Sequence, residues 1–284
     1  MKYTIKDFKT EFPTDNACLE YVFDRKYGKD FICPKCSKTG FYRVKNRKCY
    51  ACAWCAYQIH PLANSIFHKS STKLTDWFFA LYKFSNSKNG VSAKELERDL
   101  GCTYKTAWRI AKHIRLLMND DEKLKGTIEA DETYMGGVQK GGRGRSVSGN
   151  KIPVVGMVQR KGGVRTRVVP DVLKIRMMSA IRDNVETGSS LMTDEFKSYK
   201  GIKDWGYKHH VINHSKTYVR GKRGNIHTNS VEGFWSQLKR SINGTYHSVS
   251  PRYLQNYCDE FSYRYSRRAS ETPLFHHLLG EICG

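Results

Sequence analysis

Thr127-Ile128-Glu129-Ala130-Asp131-Glu132-Thr133-Tyr134 is the stretch on which the fold of this chain depends. Its side chains alternate in the way that predicts a β-strand with one face in a core. Two further strands are predicted at 154–160 and 164–169, and Lys161-Gly162-Gly163 joins them as a hairpin. The polar residues 119–123 precede this region and indicate a domain boundary.

The elements after the hairpin complete a mixed domain. Pro170 ends the third strand, and a helix is predicted over 171–186. Short strands are expected at 190–194 and 209–213, followed by a helix over 228–242. Three strands, a helix, two strands and a helix is the order of an RNase H-like domain, in which helices cover both sides of a mixed sheet. The predicted class is α+β or α/β, with a domain of the retroviral integrase type in the second half of the chain.

Three acidic residues stand where such a sheet would bring its strand ends together. Asp131 lies in the first strand, Asp194 ends the fourth, and Glu232 lies in the later helix. The first and fourth strands of an RNase H-like sheet are neighbours, so the two aspartates are expected to meet. Carboxylates are preferred ligands of Mg²⁺ or Mn²⁺, and the three together predict a catalytic site for two such ions. The alternative for each acid alone is a turn or cap residue.

The third ligand of this predicted site is open between two side chains. In a helix over 228–242, Asn229, Glu232, Ser236 and Lys239 share one polar face. Glu232 is favoured because a carboxylate neutralises a cation better than an amide does, and Lys239 is expected to hold a DNA phosphate. The apolar stripe of the same helix is predicted to pack on the sheet; it consists of Val231, Phe234, Trp235, Leu238 and Ile242.

Other acids compete for the same role. Glu129, Glu132 and Glu195 are close in sequence to the two aspartates. Glu129 shares the strand face of Asp131, because residues two apart in a strand point the same way. It is ranked lower because it lies nearer the start of the strand than its end.

Cysteines are concentrated near the N-terminus, where five of the nine fall within residues 33–55. Cys33 and Cys36 form one C-x-x-C pair, and Cys52 and Cys55 form another. Two such pairs at this spacing predict a structural zinc site of four thiolates, whose binding energy folds a segment too small for its own core. Cys49 also lies three residues before Cys52, but overlapping pairs cannot be used at once, so it is expected to lie outside the site.

A helix-turn-helix is predicted between the zinc ribbon and the strands. Ser92 caps a helix that Gly101 ends, and Thr103 caps a second helix that runs to about Met118. Polar side chains of the second helix are suited to contact the major groove of DNA; they are Tyr104, Lys105, Thr106, Arg109 and Lys112. An ordinary helical hairpin is the alternative.

The charge of the chain points to a polyanionic partner. The 284 residues include 49 Lys and Arg against 27 Asp and Glu, a net charge of +22. This excess disfavours an enzyme for a small neutral metabolite and favours nucleic acid binding. Arg143 and Arg145 lie in a glycine-rich, acid-free stretch that is expected to contact DNA phosphates, unless it is only a solvated loop. The first residues lack the apolar stretch of a signal peptide.

Several motifs together resemble a known family, the DDE-type insertion-sequence transposases with an N-terminal zinc ribbon, which are similar to the eukaryotic Merlin transposases. The motifs are the paired cysteines, Asp131-Glu132-Thr133-Tyr134-Met135-Gly136-Gly137, Thr193-Asp194, His227-Thr228-Asn229-Ser230-Val231-Glu232-Gly233-Phe234-Trp235, Leu238-Lys239-Arg240 and Glu260-Phe261-Ser262-Tyr263-Arg264 with Arg267. The last set is either a buried ion-pair group or a DNA contact.

The resemblance implies a function and a set of partners. The function is transposition of an insertion sequence, in which the protein binds terminal inverted repeats and carries out Mg-dependent strand cleavage and strand transfer. The implied cofactors are structural zinc and catalytic Mg²⁺ or Mn²⁺. The implied partners are double-stranded DNA of the element ends and target, and a second copy of the chain on DNA, in the cytoplasm and nucleoid of a prokaryotic host. Family members carry Asn as often as Glu at the third catalytic position, so Asn229 stays open beside Glu232.

Three regions are therefore predicted: a helix and zinc ribbon at 1–66, a helix-turn-helix at 67–120 and an RNase H-like domain at 124–284. Two other functions remain open at this point. One is a nuclease or resolvase of the same fold that cuts without joining, and the other is a zinc-ribbon regulator without enzymatic activity.

Overall fold

The computed structural model describes residues 3–136, 151–212 and 226–282. The chain divides into two compact units, of which one is Met1–Leu117 with Ser270–Gly284 and the other is Met118–Ala269. The predicted region at 1–66 falls within the first unit, and the predicted region at 67–120 does so as far as Leu117. The predicted third region ends differently, because residues from Ser270 onward group with the N-terminal unit. Arg143, Arg145 and residue 213 lie outside the described residues.

The first unit begins with two helices and a small sheet. Helices α1 (Ile5–Glu11) and α2 (Asp15–Tyr27) each start at a threonine cap, Thr4 and Thr14. Strands β1 (Phe41–Arg43), β2 (Tyr50–Cys52) and β3 (Gln58–Ile59) pair antiparallel in chain order. A helix and a three-stranded ribbon are thus both present within residues 1–66, as the sequence predicts.

A helical group completes this unit. It contains α3 (Leu74–Asn86), α4 (Ala93–Leu100), α5 (Tyr104–Leu117) and α9 (Leu274–Glu281). The Ser92 hydroxyl accepts from the Glu95 amide at 3.1 Å and caps α4, while Gly101 ends it at φ 59°, a left-handed conformation that favours glycine. The observed caps of α4 therefore match the predicted start and end of the first helix of the pair.

The second unit is built on a five-stranded sheet of order β6-β5-β4-β7-β8. Its strands are β4 (Thr127–Met135), β5 (Ile152–Gln159), β6 (Val164–Val168), β7 (Ser190–Thr193) and β8 (Lys208–Val211). The first three strands pair antiparallel, and β7 and β8 continue the sheet in parallel. This order, with the first and fourth strands of the domain adjacent, confirms the predicted RNase H-like fold.

Helices cover both faces of this sheet. Helix α6 (Lys174–Asn184) packs on one face, where Ile128 and Ala130 of β4 meet Met177 and Ile181. Helices α7 (Asn229–Ser241) and α8 (Leu254–Ser266) cover the other face. The predicted apolar stripe of α7 lies in this second core, and all five of its members are buried.

Some elements were not anticipated in the sequence. The helices α1 and α9 lie near the two ends of the chain, and a π-helical segment (Ile242–Tyr246) extends α7. The helix predicted over 171–186 is shorter at both ends, because Leu173 caps it and Val185 is extended. In the described part of the chain, no helix is long and apolar enough to cross a membrane.

A glycine in β5 makes room for a tryptophan of α7. Gly156 pairs with Asp131 across the β4–β5 ladder. A Cβ atom at this position would lie 2.6 Å from Cη2 of Trp235, far inside van der Waals contact. The flat indole can therefore pack directly on the backbone of the strand.

Gly156→Ala should destabilise the second unit by about 1–3 kcal/mol, because the indole must leave its position on the strand. Gly233→Ala is the matched control, since nothing lies within 4 Å of a Cβ added to this α7 glycine. Alanine there should be neutral or stabilise by up to about 1 kcal/mol. Thermal unfolding of both variants beside the parent protein measures the difference, and equal midpoints would contradict the packing described.

Candidate functional site

The register of two strands brings Asp131 and Asp194 side by side. Thr127 of β4 pairs in parallel with Ser190 of β7, and the pairing continues to Glu129 and Met192. Asp131 stands four residues after Thr127, and Asp194 stands four residues after Ser190. The two aspartates are therefore level with each other at the point where β7 ends.

The electrostatics of Asp131 record this proximity. The pKa of Asp131 is raised to about 6, chiefly by burial and then by repulsion from the carboxylates of Asp194 and Glu232, against the opposing hydrogen bonds from the Glu132 amide and the Trp235 indole. A raised pKa in the folded state means that ionising Asp131 costs stability as the pH rises from about 4 to about 6. Such a cost is typical of carboxylates gathered for function.

Another carboxyl of the same unit provides a comparison. The pKa of Asp259 is likewise raised to about 6, chiefly by burial, but among its charged neighbours Arg167 and Arg165 lower it and only Asp121 raises it. Its side chain also accepts a hydrogen bond from Gln255 at 2.7 Å. Asp259 is thus a buried acid with cationic and amide partners, whereas Asp131 is crowded by two other acids.

Helix α7 contributes the remaining side chains of the site. Trp235 donates from Nε1 to Oδ2 of Asp131 at 3.1 Å, so the packed indole also fixes this carboxylate. Glu232, Asn229 and Lys239 are exposed on the polar face of the helix. Glu232 accepts from the Thr228 hydroxyl at 3.1 Å, and its charge acts on Asp131. No interaction of Asn229 with either aspartate is recorded among the described residues.

Two of the other acids considered as metal ligands, Glu129 and Glu132, already accept hydrogen bonds from other residues. Glu129 is fully buried and accepts from Arg160, from the Ser230 amide and from the Val231 amide. Glu132 accepts from the Tyr199 hydroxyl at 3.0 Å in the core beneath α6. Glu195 is exposed beside Asp194. Sequence reasoning placed Glu129 on the face of Asp131 but did not identify its contacts, because they come from distant parts of the chain.

The cysteine cluster has the geometry of a four-thiolate metal site. The sulfur atoms of Cys33, Cys36, Cys52 and Cys55 all lie within 4.8 Å of one another. Cys49 is buried outside this cluster, with its sulfur 4.0 Å from Oε1 of Gln58. The four thiolates fit tetrahedral Zn²⁺, which prefers such soft ligands in structural sites.

The carboxylates of Asp131, Asp194 and Glu232 are not gathered as closely as the four thiolates. Among the described residues, the cysteine cluster is the one group of three or more metal-binding side chains gathered that closely. The chemistry of the carboxylate set nevertheless fits hard divalent cations, because the charges of two further acids act on Asp131 in a basic protein.

The predicted DNA-reading face of α5 is partly engaged within its own unit. Arg109 donates to the Thr72 hydroxyl at 3.1 Å and lies 5.8 Å from the Trp77 ring centroid. Lys112 lies 5.7 Å from the Trp108 ring centroid. Tyr104 and Lys105 are exposed, and Thr106 is half-buried at the start of the helix. The N-terminal end of α5 is therefore its more accessible part.

An exposed aromatic surface on the ribbon was not anticipated. Trp54 is 65% exposed, and its indole Nε1 is fixed by a 3.0 Å hydrogen bond to the Thr39 carbonyl. The ammonium of Lys38 lies 4.2 Å from the centroid of its ring. The surrounding stretch, residues 31–75, holds eight Lys or Arg and no acid, a signal that the sequence already contained.

The C-terminal motif of α8 forms ion pairs inside the second unit. Arg264 donates to the fully buried Glu260 at 2.6 Å, and the Tyr246 hydroxyl is 3.0 Å from the same carboxylate. Arg267 lies 3.2 Å from Asp120. Of the two interpretations considered for this motif, the contacts favour the ion-pair group.

Comparison with known proteins agrees with this geometry. The model of the transposase zinc-ribbon domain matches residues 13–58, which contain all four clustered cysteines. A curated relative from Haemophilus influenzae (strain ATCC 51907 / DSM 11121 / KW20 / Rd), described as an uncharacterized transposase-like protein, is 27% identical over 103 residues, which cover 36% of this chain and 80% of the relative.

A solved structure gives a more distant similarity. It is the cryo-EM structure of a simian T-cell lymphotropic virus intasome in complex with PP2A regulatory subunit B56 gamma, with 11% identity and a TM-score of 0.32. The alignment covers 64% of this chain and 64% of the matched chain, less than two thirds of its length. The fold assignment depends on the strand order and not on this alignment.

The second unit has the decisive match. The model of the ISXO2-like transposase domain covers residues 123–266, half of the chain, and includes Asp131, Asp194 and Glu232. With its zinc ribbon and RNase H-like sheet, the chain belongs to the family of transposases that carry the ISXO2-like transposase domain.

Proposed function

We propose that this transposase binds the terminal inverted repeats of an insertion sequence, cleaves DNA strands at the element ends and joins them to target DNA. The proposal is supported by the β4–β7 register, which brings Asp131 level with Asp194, and by the charges of Asp194 and Glu232, which both raise the pKa of Asp131. These three acids lie within a transposase domain, in a chain whose net charge is +22. Both facts support metal-dependent phosphodiester chemistry.

Asp131 and Asp194 would hold the catalytic cations, with Glu232 as the third ligand. Bound Mg²⁺ or Mn²⁺ would stabilise the negative charge that develops on the attacking and leaving oxygens. Trp235 keeps the Asp131 carboxylate in place by its hydrogen bond at 3.1 Å. Lys239, seven residues after Glu232 on the exposed face of α7, would pair with a DNA phosphate beside the site.

The first unit would recognise the DNA ends. Candidate contacts are the accessible start of α5, with Tyr104, Lys105 and Thr106, and the ribbon surface of Trp54 and Lys38. Arg109 and Lys112 would contribute less directly, because neighbouring side chains already contact them. A homodimer or larger assembly on DNA is part of the proposal, since two element ends must be processed together.

The catalytic assignment makes a direct prediction. Asp131→Asn or Asp194→Asn should lower cleavage and joining at least about a hundredfold, comparable to the loss of one dominant electrostatic contact. DNA binding should persist, because a negative charge near phosphate is removed. Without divalent ions, Asp131→Asn should also unfold at a higher temperature near neutral pH, because the crowded charge is gone while Asn can still accept from Trp235.

The test uses purified protein, Mg²⁺ and duplexes that carry the element ends, with the 3′-OH products mapped and their joining to a target plasmid assayed. Cleavage without joining would favour a nuclease, and intact cleavage in both Asp variants would refute the site. Glu232→Gln should abolish cleavage while Asn229→Ala reduces it. The reverse ranking would make Asn229 the third ligand.

The zinc assignment predicts a different response at two cysteines of the ribbon. Cys33→Ser should lose the one Zn²⁺ expected per chain, because a ligand of the cluster is removed. Cys49→Ser is the matched control, since this buried thiol lies outside the cluster, and its zinc content should be unchanged. Metal analysis of the purified, reduced proteins measures both. Zinc-free parent protein, or zinc loss in both variants alike, would contradict the assignment.

The ribbon surface is expected to contribute to DNA affinity. Trp54→Ala should weaken binding about two- to fivefold, because the ring positions Lys38 through a cation–π contact of about 0.5–1 kcal/mol. Lys38→Gln should weaken binding and flatten its salt dependence by the equivalent of about one phosphate contact. Ile175→Ala is the control, because Ile175 is 61% exposed on α6, outside the ribbon. Fluorescence anisotropy over a salt series tests these changes, and parental affinity in the Trp54 variant would exclude the surface.

A further inference from the structure

One fully buried carboxylate connects the strand of Asp131 to the helix of Glu232. Glu129 lies on β4, two residues before Asp131 and on the same face of the strand. Its Oε2 accepts from the amides of Ser230 at 2.7 Å and Val231 at 3.2 Å, in the first turn of α7. Glu232 follows Val231 directly, so Glu129 contacts the turn that carries the proposed third ligand.

Arg160 completes this arrangement from the end of β5. It donates from Nε to Oε1 of Glu129 at 2.7 Å and from Nη2 to the His227 carbonyl at 2.9 Å. Nδ1 of His227 also lies 3.2 Å from Oε1 of Glu129. The ion pair therefore fixes both the first amides of α7 and the backbone that precedes it. A negative charge at a helix N-terminus is also favoured by the helix dipole.

The hydrogen bonds of Glu129 leave it poorly suited to bind a metal. Oε1 accepts from Arg160 and from the Ser230 hydroxyl at 3.0 Å, while Oε2 accepts from two amides. An ionised carboxylate has about four acceptor positions, and these four donors occupy them. Glu129 thus differs from Asp131, whose hydrogen-bond partners are fewer and whose neighbours are acids.

We propose that Glu129 is a positioning residue, which sets the separation of Glu232 from Asp131 and thereby the affinity of the site for divalent cations. This inference rests on the proposed catalytic role of those two carboxylates. Glu129 acts through the first turn of α7 and does not touch the cation. Residues that orient metal ligands typically change metal affinity about 10–100-fold when they are substituted.

Glu129→Gln is the informative substitution, because it keeps the size of the side chain. One of the two oxygens becomes an amide nitrogen, which cannot accept from Arg160 or from the α7 amides. Glu260→Gln is the matched control in the same unit. Glu260 is also fully buried, pairs with an arginine at 2.6 Å and accepts from a hydroxyl, but it contacts neither β4 nor the first turn of α7 in the described hydrogen bonds.

The experiment measures Mn²⁺ binding to the zinc-loaded full-length protein by electron paramagnetic resonance, together with thermal unfolding and DNA-end cleavage over a Mn²⁺ series. Glu129→Gln should bind Mn²⁺ about tenfold more weakly, and a higher Mn²⁺ concentration should restore its cleavage. Glu260→Gln should lose a similar amount of thermal stability without a change in Mn²⁺ affinity. Asp131→Asn should lose Mn²⁺ binding, and cleavage should not return at any concentration.

Each other outcome has a defined meaning. Parental Mn²⁺ affinity in Glu129→Gln, or an equal shift in Glu260→Gln, would overturn the positioning role. Loss of cleavage that added Mn²⁺ does not restore would also overturn it, because Glu129 would then behave as a ligand. If Glu129→Gln does not fold, Ser230→Ala provides the test, because it removes one donor to Glu129. The Mn²⁺ affinity of Ser230→Ala must then fall, by a smaller factor than the roughly tenfold change expected for Glu129→Gln. Unchanged Mn²⁺ binding in Asp131→Asn would refute the proposed metal site itself.

Discussion

The parallel pairing of β4 with β7 is the constraint on which the second unit depends. Three ladder positions fix the register, and this register carries Asp131 and Asp194 to the same level at the end of β7. A slip of one residue would turn the side chains of β7 to the opposite faces of the sheet. It would bury Asp194 or separate it from Asp131, so the backbone ladder defines the site before any side chain does.

The site then has to hold like charges together, which the rest of the unit makes possible. The indole of Trp235 reaches Asp131 because Gly156 leaves space on β5. Glu129, two residues before Asp131 on the same strand face, holds the start of α7 together with Arg160. The packed indole of Trp235 and the ion pair of Glu129 with Arg160 thus lie beside the acids that repel one another. These contacts offset the stability that the repulsion costs.

Much of this organisation could be predicted from the sequence. Hydrophobic spacing located the strands and the buried stripe of α7, because both depend on local periodicity, and the order of elements along the chain predicted the RNase H-like sheet. Cysteine spacing identified the four clustered thiols for the same reason. The partners of Glu129 and Arg109 were beyond such reasoning, since Ser230 and Thr72 are brought to them only by the tertiary fold. Helix α9 was missed because its packing partners lie almost 200 residues or more earlier in the chain.

The contacts of α9 affect the order in which the two units can fold during translation. Phe275 stacks on Tyr3 with a centroid separation of 4.6 Å and lies among the rings of Phe8, Phe12 and Tyr82. Domains usually fold from the N-terminus as they leave the ribosome. Here the aromatic core of the first unit is closed by a helix that is translated after the whole RNase H-like unit. The first unit would therefore complete its core after the RNase H-like unit, only as translation nears residue 281.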